Sequence, residues 1–185
     1  EARAWHGNGR FKFKGGYRGG KKDGLFENFS ESGEKLGSCF YRDGRESGKC
    51  EEWYPNGKLK FSGFYREGKK DGLFEDFDEG GKRTASCRFR NDFESGECEK
   101  WYPSGKLKER CIPQPGSFIL QCEAWHENGE KKFQGAFRNR KPNGLWLVWN
   151  HRGRLIDREI WQEGEPVSEG EELKPLLEPQ AKMER

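Results

Sequence analysis

"KLGSCFYRDGRESGKCEEWY", residues 35–54, carries Cys39 and Cys50 eleven positions apart. The same interval separates Cys87 from Cys98 in "ASCRFRNDFESGECEKWY" (85–102) and Cys111 from Cys122 in "ERCIPQPGSFILQC" (109–122). These three pairs use all six cysteines of the 185-residue chain. A single spacing kept three times calls for a repeat, and stepping outward from this stretch finds one.

From Trp5, every 24th residue is a large aromatic: Phe29, Trp53, Phe77, Trp101, Trp125 and Trp149. Four places after each stands a glycine: Gly9, Gly33, Gly57, Gly81, Gly105, Gly129 and Gly153. These aromatics lead seven units, numbered one to seven below. A longer period lies on top, since residues 5–52 and 53–100 agree at more than half their positions and "GKKDGLFE" recurs verbatim. Each unit contains two short runs with aromatics at alternate places, such as "KFSGFY", bounded by turn signals. "YPNGK", "YPSGK" and "HENGE" suit three-residue hairpin turns with glycine in the left-handed region. Frequent glycine and the lack of a 3.6-residue apolar pattern disfavour helix. The expected fold is all-β: an elongated, twisted antiparallel meander of about seven hairpin repeats and some fourteen strands. Residues 1–172 are expected to form the array, and 173–185 a short tail whose Leu173, Leu176 and Leu177 cap the last strand.

The cysteines occupy the tenth and twenty-first positions after the lead aromatic in units two, four and five. In units one, three and six the same positions hold Gly15 and Phe26, Gly63 and Phe74, and Gly135 and Trp146. Two positions that change together in this way behave as cross-strand neighbours, with a ring laid over a bare backbone in place of a sulfur bridge. This pattern selects Cys39–Cys50, Cys87–Cys98 and Cys111–Cys122 among the possible pairings. Zinc would want closely spaced cysteines or clustered histidines, which are missing, and buried free thiols are the plainer alternative. The same register, continued toward the turn, sets Tyr17 against Gly24, Tyr41 against Gly48, Tyr65 against Gly72, Phe89 against Gly96 and Phe137 against Gly144. On the other face it puts Arg18, Arg42, Arg66, Arg90 and Arg138, with Glu27, Glu51, Glu75, Glu99 and Glu123, as a solvated charged surface. Disulfides persist in oxidising compartments, so a periplasmic or extracellular location is expected. The chain starts at Glu1 rather than Met, which a removed signal peptide or an artificial boundary would each explain.

Composition narrows the function classes. With 31% hydrophobic and 36% charged residues and a mean hydropathy of −1.18, the chain resembles a disordered one. Its 14% aromatics and 26 evenly distributed glycines argue for the ordered array instead. A net charge of +3, from 35 basic and 32 acidic residues, is not that of a dedicated nucleic-acid binder. No apolar run approaches the ~20 residues of a membrane span. His6 and His126 follow a lead tryptophan at the place Tyr54 and Tyr102 take elsewhere, which suits turn lining better than base catalysis. "GNGRFKFKGG" has neither the ending nor the helix of a phosphate loop, and no calcium loop or nucleophile elbow is present. No catalytic residue, metal or cofactor is expected.

The run W-Y-P-N-G-K-L-K (53–60), followed by a strand and G-K-K-D-G-L-F-E (68–75), resembles the MORN-repeat-variant family, bacterial proteins often labelled antitoxins. The likeness covers roughly residues 5–170 and is specific in units one, three and six. Cysteines replace the glycine and ring in units two and four, and unit seven, "WNHRGRLIDREIWQEGEPVSEG", is degraded. The resemblance implies a non-enzymatic β-hairpin array that works by contact with a partner. Some members resemble immunity proteins that neutralise a toxin delivered by a neighbouring cell, so the implied partner is a toxin or effector, membrane-active enzymes included. A lipid surface is the alternative, met by the basic turns at Lys21, Lys22, Lys69 and Lys70.

Unit five departs most, because "CIPQPGSFILQC" lacks the charged turn of its siblings. Pro113, Pro115, Phe118, Ile119 and Leu120 form an apolar, proline-stiffened and disulfide-tethered cluster, the first candidate for a partner anchor. Packing against a neighbouring unit would use the same residues. Tyr54 and Tyr102, on matching turns, are secondary candidates.

Overall fold

Each unit turns twice, and the two turns differ in chemistry. At the unit boundary Tyr54 N–H donates to Lys58 O at 2.8 Å around Pro55-Asn56-Gly57, with Gly57 at φ 80°. This is the three-residue turn read from the sequence, and it recurs at His6–Arg10, Ser30–Glu34, Asp78–Lys82, Tyr102–Lys106, His126–Glu130 and Asn150–Arg154. Inside the unit the turn has two residues, both left-handed: Asp43 and Gly44, at φ 50° and 83°, between paired Arg42 and Arg45. Two successive positive φ values define a type I′ turn, whose twist matches that of the flanking strands.

In the computed structural model, residues 1–167 are described, and they form one continuous 16-stranded antiparallel sheet with a separate two-stranded ribbon. The all-β meander is as expected. There are eighteen strands among the described residues rather than fourteen because Ala2–Trp5 precedes unit one, Gly16 separates Phe11–Gly15 from Tyr17–Arg18, and Asp23 and Asp71 break the second strands of units one and three, leaving Lys21–Lys22 before Gly24–Phe29 and Lys69–Lys70 before Gly72–Phe77. Tyr17–Arg18 and Lys21–Lys22 make the separate ribbon, and the short strands Ala2–Trp5 and Glu165–Pro166 occur at the two ends of the strand order. The expected tail cap at Leu173, Leu176 and Leu177 lies outside the described residues.

The cysteine register holds: Cys39 faces Cys50, Cys87 faces Cys98 and Cys111 faces Cys122. All three pairs are disulfide-bonded, with Cα–Cα distances of 4.0, 4.0 and 4.1 Å, and no free cysteine remains. The ring-over-glycine alternative is equally direct. A Cβ on Gly15 would lie 2.5 Å from the Phe26 ring, one on Gly63 2.4 Å from Phe74, and one on Gly135 2.6 Å from Trp146. Only glycine fits beneath these rings.

The second expected pairing is wrong. Tyr41 faces Glu46 rather than Gly48, because the register shifts between Cys39 and Tyr41. In the same way Tyr17 faces Lys22, Tyr65 faces Lys70, Phe89 faces Glu94 and Phe137 faces Pro142. Gly48 faces Tyr65 of the next unit, as Gly24 faces Tyr41, Gly72 faces Phe89 and Gly144 faces Trp161. In unit two, two extra residues bulge from the second strand just before the cysteine position. Gly24, Gly48 and Gly72 supply positive φ at this place, 98°, 136° and 140°. Alternation still sends both the aromatic and the glycine to the expected face, but the bulge hands the glycine to the following unit. Spacing alone could not show that.

One layer of sheet has little interior. The buried apolar residues among those described are Phe26, Cys50, Phe74, Cys111, Cys122 and Ala124, and no side chain among them is fully enclosed. Order comes from edge-to-face ring stacks instead, a geometry that the ring quadrupoles favour. Tyr17–Phe26–Tyr41, Tyr65–Phe74–Phe89 and Phe137–Trp146 pack with centroid distances of 5.3, 5.3, 5.1, 5.2 and 5.0 Å in that order. The opposite face is not purely charged, contrary to the sequence reading. Glu27 is gripped by Lys14 and Lys35 at 2.8 and 2.7 Å, and Glu75 by Arg83 at 2.8 Å. Beside them Leu25, Phe40, Phe64 and Leu73 stand exposed, with Leu25 facing Phe40 across the strands.

Candidate functional site

Ring stacks recur wherever a ring-bearing unit is followed by the next aromatic strand. Phe26 of unit one gathers Tyr17 and Tyr41; Phe74 of unit three gathers Tyr65 and Phe89. Trp146 of unit six gathers Phe133, Phe137 and Trp161. Alternation would place a ring in unit five, but Cys122 stands there. Two disulfides therefore follow each other along one row, with Cys98 facing Cys111 on the adjacent strand. A sulfur bridge fills far less space than a phenyl ring, and a gap opens over unit five.

That gap is an apolar notch of about 860 Å³. The Cys111–Cys122 bridge borders it, with Pro113 and Leu120, a facing pair, further along the same strands. Phe93, Phe118 and Phe137 contribute rings, and Asp92, Glu94 and Glu109 contribute carboxylates. Arg140, on a two-residue turn, is the lone basic group of the lining. Phe118 is 76% exposed and Phe93 64%, so the notch has greasy lips open to solvent.

The backbone of unit five explains how Phe118 reaches this position. Its hairpin keeps one register from Glu109–Ala124 through Cys111–Cys122 to Pro113–Leu120, without the bulge of its siblings. The bulge residues are spent in the loop instead. Gln114 N–H donates to Ile119 O at 2.8 Å, closing a four-residue loop of Pro115, Gly116, Ser117 and Phe118. Pro115 is followed by Gly116 at φ 70°. That is the residue order of a type II turn. Leu120 stands where siblings hold the bulge glycine, and a side chain there suits the unbulged strand.

Pro113, Phe118, Ile119 and Leu120 thus converge on one concavity, while Pro115 sits on the exposed loop outside its lining. Tyr54 and Tyr102 lie elsewhere. Their hydroxyls donate to Phe77 O at 2.8 Å and Trp125 O at 2.9 Å, hooking each turn onto the lead aromatic of the next unit. His6 and His126 make the same reach with Nε2, to Phe29 O and Trp149 O at 2.9 Å. Asn56 Nδ2 adds a bond to Glu79 O at 3.0 Å on the same seam. The sequence reading missed Phe93, Phe137 and the three carboxylates of the notch. Their signal was visible in principle: two cysteine units in succession interrupt the alternation of ring and bridge.

Burial first, and Glu46 after it, raises the Tyr41 hydroxyl, and burial likewise raises Tyr65. Both rings belong to the packed stacks, not the notch. Among the described residues no three His, Cys, Asp or Glu side chains converge as a metal cluster, and no helix is long and apolar enough to cross a membrane.

No curated protein matches the chain in a sequence search. The family model described as MORN repeat variant matches residues 46–67 and 94–112. The two matches run from the second strand of units two and four through the boundary turn and along the first strand of the next unit, and MORN repeats are in general binding repeats for proteins and membranes rather than catalytic units.

Proposed function

We propose that this protein is a periplasmic or secreted inhibitor of the immunity type, which binds a toxin or effector and covers its active-site mouth. The observation that carries the reading is the notch over unit five. There the repeat trades a packed ring for open apolar volume, and Pro113, Phe118, Ile119 and Leu120 all border it. A small number of well-placed apolar anchors dominates most protein interfaces, and an anchor on a disulfide-bordered hairpin loses little entropy on binding. Three disulfides in a chain with so little interior favour an oxidising setting. Occlusion would be steric: the sheet covers the partner, and no chemistry is asked of the chain. The test is to purify the product of the adjacent gene, titrate it with this protein and follow its toxic activity. Stoichiometric inhibition is expected, with Phe118→Asp weakening it; no complex, or a complex without inhibition, refutes the reading.

A lipid-facing scaffold is the second reading, supported by the exposed Leu25, Phe40, Phe64 and Leu73 beside Arg42 and Arg66. The basic turns serve it less well than the sequence alone implies, because Lys22 and Lys70 are taken up over rings of their own sheet. Steeply salt-dependent flotation with anionic vesicles, lost in a Phe40→Asp/Phe64→Asp variant, would favour it.

A further inference from the structure

In two of its three ring stacks the chain itself sets a cation over the rings. Lys22, seventeen residues after the lead aromatic of unit one, holds its ammonium 4.8 Å from the Phe26 centroid and 4.6 Å from Tyr41. Lys70, at the same position of unit three, lies 4.9 Å from Phe74 and 4.7 Å from Phe89. Each cation sits between the ring of its own unit and the aromatic twelve places after the lead residue of the next, where the ring quadrupoles attract it. In unit five the seventeenth residue is Phe118, the ring is replaced by Cys122, and the next unit's aromatic, Phe137, remains. Where units one and three hold an ammonium, unit five holds a third aromatic wall. Carboxylates have gathered as well: Glu109 takes the place that Phe61 and Phe133 fill in units three and six, and Glu94 stands opposite Phe89. Glu109 is already paired with Lys100 at 3.0 Å, so Asp92 and Glu94 against the single guanidinium of Arg140 leave this aromatic notch with one carboxylate in excess.

From this internal comparison we infer that the notch receives a basic side chain, lysine or arginine, flanked by apolar residues on the surface of a protein partner. It is an aromatic cage with no cation of its own seated in it. The ligand's ammonium or guanidinium lies against Phe118 and Phe137, in the space that the Phe74 ring fills in unit three. Its neighbours cover Pro113 and Leu120, and Asp92 and Glu94 face the charge from the notch wall, while Glu109 is held by Lys100. Arg140 on its turn tip is the one lining group that opposes such a ligand. The inference rests on the reading of the notch as the docking point, and it adds the chemistry of what docks.

The experiment uses the full chain and three capped pentapeptides, Ala-Leu-Xaa-Leu-Ala with Xaa arginine, lysine or glutamate, titrated by amide NMR. The arginine and lysine peptides are expected to shift the amides of residues 118–122 and 137 and to bind about tenfold more tightly than the glutamate peptide. Phe118→Lys puts back the cation that Lys22 and Lys70 provide, and it should weaken the basic peptides about tenfold while leaving the rest of the spectrum unchanged. Asp92→Asn with Glu94→Gln should narrow the arginine-over-glutamate preference to about twofold. Equal binding of arginine and glutamate peptides, no shift in the notch, or undiminished arginine binding to Phe118→Lys would each overturn the inference. Failures remain separable. A toxin partner that is inhibited and released by Phe118→Asp, with peptides that do not discriminate, leaves the docking reading standing and removes the cationic one. Discriminating peptides with no inhibited partner do the reverse.

Discussion

Units three and five share the repeat's common length and its row of cross-strand pairs, yet they solve the same problem in opposite ways. Unit three lays Phe74 over Gly63 and surrounds it with Phe61, Tyr65, Phe89 and the Lys70 ammonium. Unit five joins Cys111 to Cys122 and leaves the space above them empty. Burying a phenylalanine contributes about 1.5–3 kcal/mol and closing a loop of this size by a disulfide about 3 kcal/mol. The two devices therefore stabilise comparably, but one fills volume and the other does not. A thin sheet that uses a bridge can keep an apolar concavity open without falling apart, and unit five is where that freedom is used.

The largest expected effect breaks the comparison at its packed end. Phe74 is buried at the centre of a four-ring cluster. Phe74→Ala removes that centre and should cost about 3–5 kcal/mol in urea denaturation. Phe118 stands largely in solvent, with none of that packing. Phe118→Ala should therefore change stability by only about 0.5 kcal/mol at most. If the two cost alike, Phe118 is a packing residue and the notch is filled in solution. Next comes the bridge. Cys111→Ala/Cys122→Ala should cost about 3 kcal/mol, with hydrogen-exchange protection lost in units four to six and kept in units one to three, since repeats contact only their neighbours. Uniform loss along the chain would mean that the sheet unfolds as one block and that units are not separable.

A smaller effect sharpens the comparison by exchange. Gly63→Cys/Phe74→Cys imports unit five's solution into unit three, where the Phe74 ring already lies over Gly63. A fourth disulfide is expected: zero free thiols by titration in denaturant, with stability within about 2 kcal/mol of the parent because a bridge replaces a ring. Two free thiols would show that the ring-over-glycine pair and the cysteine pair are not geometric equivalents.

That equivalence was legible in the sequence because it is a substitution rule, repeated across six units at one spacing. The boundary turns were legible for the same reason, their glycines recurring at a fixed place. The bulge was not. Tyr41 and Gly48 keep the parity of a regular hairpin, so a two-residue bulge leaves the face pattern unchanged while moving the partner to Tyr65. The notch was half legible: its apolar loop stood out, but Phe93, Glu94 and Phe137 come from other units, and only the sheet brings them beside Phe118. The role of Tyr54 was hidden by its exposed-looking turn; its hydroxyl reaches the carbonyl of Phe77 in the next unit.

The smallest effect is in acid, and it falls on the end of the array away from unit five. The Ser30 and Ser32 hydroxyls donate to the Glu34 carboxylate and hold its pKa at about 2, below the ordinary 4.5. Hydrogen bonds from Lys14 and Lys35 lower Glu27 in the same sense. A carboxyl whose folded pKa lies below its unfolded value contributes stability that is present above the unfolded pKa and drains away as pH falls toward the folded value. Both groups belong to units one and two, so loosening between pH 4.5 and about 2 should begin there. Glu34 lies at the surface on a turn, which keeps its share small. Amide exchange followed through this acid range should show units one and two losing protection before unit five. Glu34→Gln should weaken the trend without abolishing it, because Glu27 remains. If unit five opened first, the Lys100–Glu109 and Arg110–Glu99 pairs across its first strand would outweigh Glu27 and Glu34, and the acid-sensitive part of the array would be the notch.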